Sequence, residues 1–480
     1  AQKEELCQKE GVNTENHPLT QFRYTVYQNF NKRADSSMDL LDALCSTPHA
    51  RSVVELSLSP HFRRDYSALF KVIAVSALTD RDLAHLAAPY LPTPHSRPFW
   101  LVATDVTPQP RPYSAKLAGR GFVYQPTVIS GNQPITIGHQ YSTVVALPEK
   151  AARTDPAWVI PLSVRRVPLG MDKERLGDTQ LQALLTDAAM PFHGQLCVSV
   201  RDASYSKPAC LCAERAHESL VSLTRVRSNR VFYRPYVPPA EALATPGHPR
   251  WYGVRFALRE PETWGPPDER TTCQLHNQRG QLYQVEIQAW HNLLMRGKRK
   301  PEVLPMHRYP FTLIRVQVYR ADGTPLYRRA LWLVLMGARR VEVTSQQAYQ
   351  AYDQRFDHEH GYRFAKQRLL LASYQTPDVT HEEHWWRFVH LAYLQLWVAR
   401  AVAERLPRSW ERYLPTMQTT ASLTPTLVQR DFGRIIGEFG TPARPAKQRG
   451  YSPGRQPGTP GPVREHQPVL KKQTAAASQG

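Results

Sequence analysis

The chain is poor in cysteine, with six in 480 residues and no regular pairing of positions, so it has no disulfide framework of the kind small secreted domains use. Cys210 and Cys212 stand close together but lack a second pair at zinc-like spacing, and read as core residues. Long apolar runs are missing too. The longest, ALWLVLMGA at 330–338, is far too short to cross a bilayer. The opening AQKEELCQKE has no apolar signal-peptide core, so the expectation is a reduced, cytoplasmic protein with no membrane partner. No internal repeat is present, which excludes a solenoid. Acids are the last shortage: 41 Asp and Glu stand against 61 Lys and Arg, a net charge of +20 and a pI near 9.8. An excess spread along the whole chain is what a phosphate backbone selects for.

What is present suits a globular protein of two or three domains, with 41% apolar and 10% aromatic residues. Residues 1–95 read as a helical N-terminal domain that could grip DNA: MDLLDALC, SALFKVIAVSAL and RDLAHLAAPYL carry apolar residues at three- and four-residue spacing. From Phe99 the pattern turns to strands. FWLVATD is a buried strand with Asp105 at its C-terminal edge, followed by GFVYQPTVI, ITIGHQYSTVVALP and WVIPLSVRRV. A helical segment, KERLGDTQLQALLTDAAM, leads to LCVSVRD, a strand ending at Asp202, and then to a short helix and the strand LVSLTRVRSN. The predicted fold class is α/β, a mixed sheet covered by helices, with its first part at 96–235 and its second at 326–410. Between them lies a β-rich insertion, 236–325, carrying Trp251, Trp264 and Trp290. Residues 411–480 read as a basic, Pro- and Gly-rich tail, whose last forty residues, from Thr441, have almost no apolar surface to bury and are expected to be disordered when free.

The stretch YDQRFDHEHGYRFAK, 352–366, falls on a helix expected over Ser345–Leu371. At the helical repeat, Tyr352, Arg355, Glu359 and Lys366 occupy a stripe about 60° wide. An acid flanked by a phenol and two cations suits a metal-bound phosphodiester, with Glu359 on the cation and the others on phosphate oxygens. Arg355–Glu359 and Glu359–Arg363 are also pairs four apart of the kind that decorate ordinary helices. His358, Glu359 and His360 diverge too widely to share one ion from a regular helix. His381 and His384 could geometrically share one, but sit at a helix start where such residues also cap.

The spacing Tyr352-x2-Arg355-x3-Glu359-x6-Lys366 resembles the YREK signature of the insertion sequence four family of DDE transposases. The order Asp105, Asp202, Glu359, the last beyond a β-rich insertion, is similar to that family's. DASY at 202–205 resembles its Asp-x-x-Tyr pattern, RVRSN at 225–229 its Arg-containing strand, and GYSPGRQPG the tails of some related elements. Before Asp202 the chain offers one strand candidate more than the family pattern.

The resemblance implies a ribonuclease H-like core in which Asp105, Asp202 and Glu359 are catalytic and bind two Mg ions, with Mn able to substitute. It implies Tyr352, Arg355, Lys366 and Arg225 as phosphate-binding residues. It further implies a transposase that binds terminal inverted repeats in double-stranded DNA, cuts there and joins the 3′ ends to target DNA. Such an enzyme works as a homodimer in the synaptic complex, in a prokaryotic cytoplasm and on the nucleoid when DNA-bound. The alternative expectation is a domesticated, non-catalytic DNA-binding protein descended from such an enzyme.

Overall fold

The computed structural model describes residues 16–124, 134–215, 217–238, 250–277, 280–297, 304–406, 423–447, 456–461 and 463–470. The chain divides into two compact units: Ala1–Tyr90 with Pro108–His139 and Tyr362–Gly480, and Leu91–Thr107 with Gln140–Gly361.

The first unit is mainly helical. The apolar-periodic stretches of the N-terminus form α2 (Ala34–Ser46), α3 (Tyr66–Val75) and α4 (Asp80–Ala87), preceded by α1 (Pro18–Asn29). Thr79 and Asp82 close a capping box that fixes the start of α4. Several charges buried in this unit are paired: Arg23 lies 2.5 Å from Asp42 on α2, and Arg111 meets Glu382 at 2.8 Å, with His139 on the other carboxylate oxygen at 2.7 Å.

The second unit is a mixed sheet. Its strands are β1 (Trp100–Pro110), β3 (Ile135–Ala146), β4 (Ile160–Arg166), β5 (Cys197–Arg201), β6 (Leu220–Arg225), β9 (Glu269–His276), β10 (Leu282–Leu293), β11 (Phe311–Tyr319) and β12 (Leu331–Met336). They lie in the order β4–β3–β1–β5–β6–β12–β11–β10–β9. β1, β5 and β6 run parallel, joined by crossovers through α5 (Lys173–Thr186) and α6 (Pro208–Glu214). β7 (Val231–Pro235) and β8 (Tyr252–Ala257) form a separate hairpin. The result is a mixed α/β sheet flanked by helices, compatible with a ribonuclease H-like fold.

The structure resolves the strand count and corrects the expected insertion. The surplus strand is GFVY, β2 (Gly121–Tyr124), which in the first unit pairs with the opening residues of β3. WVIPLSVRRV supplies β4 and pairs with the later residues of β3, as a regular member of the sheet. The strands β9, β10 and β11 of the expected insertion continue the main sheet. The apolar edge of β12 would otherwise expose unpaired backbone groups, and β11 covers it.

The tail expectation changes as well. Residues 411–480 contain α10 (Pro425–Phe439), capped by Thr424, with Val428, Phe432, Ile435 and Ile436 buried. Further on, Gln467 N donates to Ala115 O and Leu470 N to Arg120 O, both at 2.9 Å, so backbone hydrogen bonds order a segment with little apolar surface. Residues 411–422, 448–455, 462 and 471–480 of the tail lie outside the described residues, as does Cys7.

Candidate active site

β1 and β5 pair in parallel from Trp100↔Cys197 to Ala103↔Val200. Asp105 stands just past the last pair on β1, and Asp202 just past the end of β5. Each acid stands two residues past the last ladder pair, Ala103↔Val200, so the two lie at the same end of neighbouring parallel strands. β1 itself runs on to Pro110, so Asp105 lies inside the strand and not at its edge, as the sequence suggested. What ends at Ala103 is the parallel ladder.

Each acid is held locally. Asp105 Oδ1 accepts from its neighbour's amide, Val106 N, at 2.9 Å. Asp202 caps a short 3-10 turn, Ala203–Ser206, and its Oδ1 accepts from Ser204 N at 2.9 Å and Ser204 Oγ at 2.6 Å. Beneath them, Arg201 is fully buried and ion-paired with Asp178 of α5 and Glu214 of α6, with Tyr205 under its guanidinium at 4.5 Å. Gly177 brings α5 onto this layer: a Cβ there would meet the Tyr205 hydroxyl at 2.5 Å and Thr104 at 2.9 Å. The Tyr205 phenol is pushed far up by burial, with Asp105 and Asp178 adding to the shift.

The helix expected over Ser345–Leu371 is two helices, α7 (Ser345–Gln354) and α8 (Phe356–Arg368), joined at Arg355. Arg355 N bonds Tyr352 O at 3.2 Å and His358 N bonds Arg355 O at 3.1 Å, a tightening to three-residue spacing. The junction coincides with Gln354 Nε2 reaching Pro148 O at 2.6 Å and Arg97 donating to the Gln354 amide oxygen at 3.0 Å. Past it, Gly361 lets α8 close on Val159, whose Cγ2 would lie 2.8 Å from an added Cβ.

The break leaves part of the predicted stripe together. Arg355 is buried, donates from Nη2 to Glu359 Oε1 at 2.7 Å, and lies 5.6 Å from the Tyr352 ring centre. Its Nε has no acceptor among the described residues. Burial raises the Tyr352 phenol, against the pull of Arg355 and Arg225, while Asp202 adds to the rise. Arg225 itself is exposed at the end of β6. Lys366 belongs to the first unit, where its Nζ lies 3.5 Å from Pro108 O.

Asp105 records the electrostatics of the group. Burial pushes its carboxyl up to about 6; Val106 N–H and Arg355 oppose the shift, and Asp202 and Glu359 add to it. Asp105 thus feels both other carboxylates, and Arg355 partly offsets them. Hard divalent cations take such oxygen donors, and a cation would relieve the repulsion Asp105 feels. Asp202 keeps Oδ2 without a donor among the described residues, while Glu359, exposed and paired to Arg355, must exchange that partner to become a ligand. No three His, Cys, Asp or Glu side chains among the described residues are already drawn together as a metal cage.

The other candidates resolve into structural roles. His358 Nε2 meets Thr143 Oγ1 at 2.7 Å, Asp357 pairs with Lys150 at 2.7 Å, and Asp353 with Arg153 at 2.7 Å. In the first unit, His384 Nδ1 bonds Ile73 O at 2.8 Å and Asp378 caps α9 (Val379–Ala399). Trp290 is buried in the core of the sheet, Trp264 packs against it, and Trp251 stacks on His307 at 3.5 Å. Cys210 is buried, its thiol pushed up to about 12. The Arg201–Asp178–Glu214 cluster went unrecognised from sequence; its only signal is an arginine inside an apolar strand directly before Asp202.

Residues 25–295 match a family described as DDE superfamily endonuclease. The matched span contains Asp105 and Asp202 and ends before Glu359. No curated protein matches the chain. No described helix is long and apolar enough to cross a membrane.

Proposed function

Given that the chain belongs to the DDE superfamily endonucleases, we propose that it is a transposase of the insertion sequence four type with a ribonuclease H-like catalytic core. It binds the terminal inverted repeats of its element in double-stranded DNA, cuts there and joins the 3′ ends to target DNA. Asp105, Asp202 and Glu359 would hold two magnesium ions, or manganese in their place. When bound, the ions activate the attacking oxygen and stabilise the leaving one in an in-line displacement. In the first step the oxygen of water bonds to phosphorus and the 3′ oxygen leaves with a proton. In the second, that 3′-hydroxyl attacks a target phosphorus and displaces the target's own 3′ oxygen.

The chain's side chains do the positioning. The Val106 amide and Ser204 fix the two aspartates. Arg355, buried and with Nε unsatisfied, offers a fork to phosphate oxygens once Glu359 turns to the metal. Tyr352 and Arg225 flank the same phosphate, and Lys366 serves the DNA backbone further along. Two ends held together require at least a homodimer on DNA.

The observation that carries this reading is the raised carboxyl of Asp105, at the same end of the parallel ladder as Asp202 and repelled by both Asp202 and Glu359. The test is cleavage and strand transfer of labelled element ends with magnesium. Glu359→Gln and Asp105→Asn should each lose on the order of a thousand-fold or more in rate while still binding ends. A wild-type protein that binds ends but cuts no faster than Glu359→Gln would sink it. The Arg355–Glu359 ion pair favours the second reading, a domesticated DNA-binding protein without catalysis, and that same outcome would establish it.

A further inference from the structure

A cavity of about 380 Å³ in the second unit is lined by four arginines, Arg259, Arg315, Arg328 and Arg329, and by Trp264 and Gln317 among others, with no acid in its wall. None of the four has a carboxylate within ion-pairing distance among the described residues. The buried arginines Arg23, Arg111, Arg201 and Arg355, by contrast, are all paired with acids. The arginines come from separate segments: Arg315 from β11, Arg328 and Arg329 from the loop before β12, and Arg259 from the turn after β8.

The pocket is built around Arg315. Its guanidinium lies 5.5 Å from the Trp264 ring centre, and Nη1 donates to Gln288 Oε1 at 3.3 Å. Its Nε is buried with no acceptor among the described residues, a donor that a ligand's oxygen would satisfy. Gln317, two residues along the same strand face, spends its amide N–H on Tyr327 O at 3.1 Å. Arg259, Arg328 and Arg329 are exposed at the rim. Converging, unneutralised guanidinium forks select phosphate oxygens.

The aromatic wall does not make this a base-stacking platform. Trp264 is already engaged by Phe256, Trp290 and Trp332, at ring-centre distances of 6.4, 6.0 and 5.0 Å, as well as by Arg315. Strand register separates the pocket from the acids. Leu333 pairs with Arg225, and its neighbour Trp332 pairs with Arg315, so Arg315 and Arg225 point to opposite faces of the sheet.

We propose that this arginine pocket is a second DNA-backbone site, taking one or two phosphodiesters of a duplex on the sheet face opposite Arg225. It rests on the reading of the chain as a DNA enzyme but is independent of cutting. The pocket would anchor DNA without reading its sequence.

The test is equilibrium binding of the full chain to a fluorescent duplex of arbitrary sequence, across a range of salt, without magnesium. Arg328→Ala/Arg329→Ala changes two rim residues on a loop. It should weaken binding about 10-fold or more at 0.1 M salt and flatten the log–log salt slope by about 2. Arg328→Lys/Arg329→Lys should keep the slope, showing that charge and not folding is at stake. An Ala variant with the wild-type slope and affinity overturns the proposal. Phenylglyoxal labelling of these arginines then separates the sources of phosphate. Protection by duplex at its binding concentration supports the DNA site; protection by a mononucleotide or inorganic phosphate at micromolar concentration, with none by duplex, overturns it. A protein that shows the arginine-dependent slope but never cuts keeps this inference and sinks the transposase. One that cuts with an unchanged slope does the reverse.

Discussion

Asp105 is charged at neutral pH against the preference of its surroundings. Its carboxyl sits at about 6 in the folded chain, above an ordinary value of 3.8, so the folded state prefers the protonated form. The associated stability is fully present below the ordinary value and is lost as pH rises through about 6. Asp105→Asn should therefore stabilise the metal-free protein at pH 7.5. The gain is below the roughly 3 kcal/mol that the whole shift would represent, because the side chain keeps partial access to solvent. Urea unfolding of both proteins at pH 7.5 and at pH 4 checks this: the gain should appear at the first and shrink at the second, and a gain that is equal at both assigns it to packing. Arg201 makes the opposite case. Arg201→Met leaves Asp178 and Glu214 buried without their cation, and should cost about 3–5 kcal/mol. A loss under 1 kcal/mol in the same unfolding experiment would mean that the two acids are protonated or hydrated in the fold.

Among the elements, legibility follows how local the determining forces are. β1 and β5 were readable as apolar runs ending in acids, because a strand buried on both faces leaves no alternation to confuse it. Their register was not, since a one-residue slip preserves each strand's composition while moving Asp105 away from Asp202. The break at Arg355 is invisible in the sequence because the residues that meet Gln354 there, Pro148 and Arg97, lie more than 200 positions away. The arginine pocket escapes for the same reason. α10 differs: Val428, Phe432, Ile435 and Ile436 stand at helical spacing behind a Thr-Pro start, and only the surrounding Pro- and Gly-rich composition hid them. Phe432 is fully buried, so Phe432→Ala should cost about 3–5 kcal/mol, read as a lower urea midpoint with the slope unchanged. A tail that merely brushed the surface would show no change.

At the scale of the whole molecule, the charge of +20 works against folding and for the proposed partner. Like charges spread over a compact surface repel one another, and chain expansion relieves that repulsion. Salt screens it, since the Debye length falls from about 10 Å at 0.1 M to about 3 Å at 1 M. The exposed ion pairs that could oppose this trend, such as Arg255–Glu260 and Arg339–Glu342, are each worth little, while the buried Arg23–Asp42 and Arg111–Glu382 are only weakly screened. Raising sodium chloride from 0.1 to 0.5 M should therefore lift the melting temperature by about 1–3 °C, while the same change weakens duplex binding steeply. Duplex DNA at low salt should raise the melting temperature by mass action, and 0.5 M salt should abolish that increment even as it stabilises the free protein. Differential scanning fluorimetry with and without DNA at both salt concentrations gives the four numbers needed. Free protein whose melting temperature falls with salt would show that surface ion pairs outweigh net repulsion. A DNA increment that survives 0.5 M salt would mean that the contacts are not chiefly to phosphate.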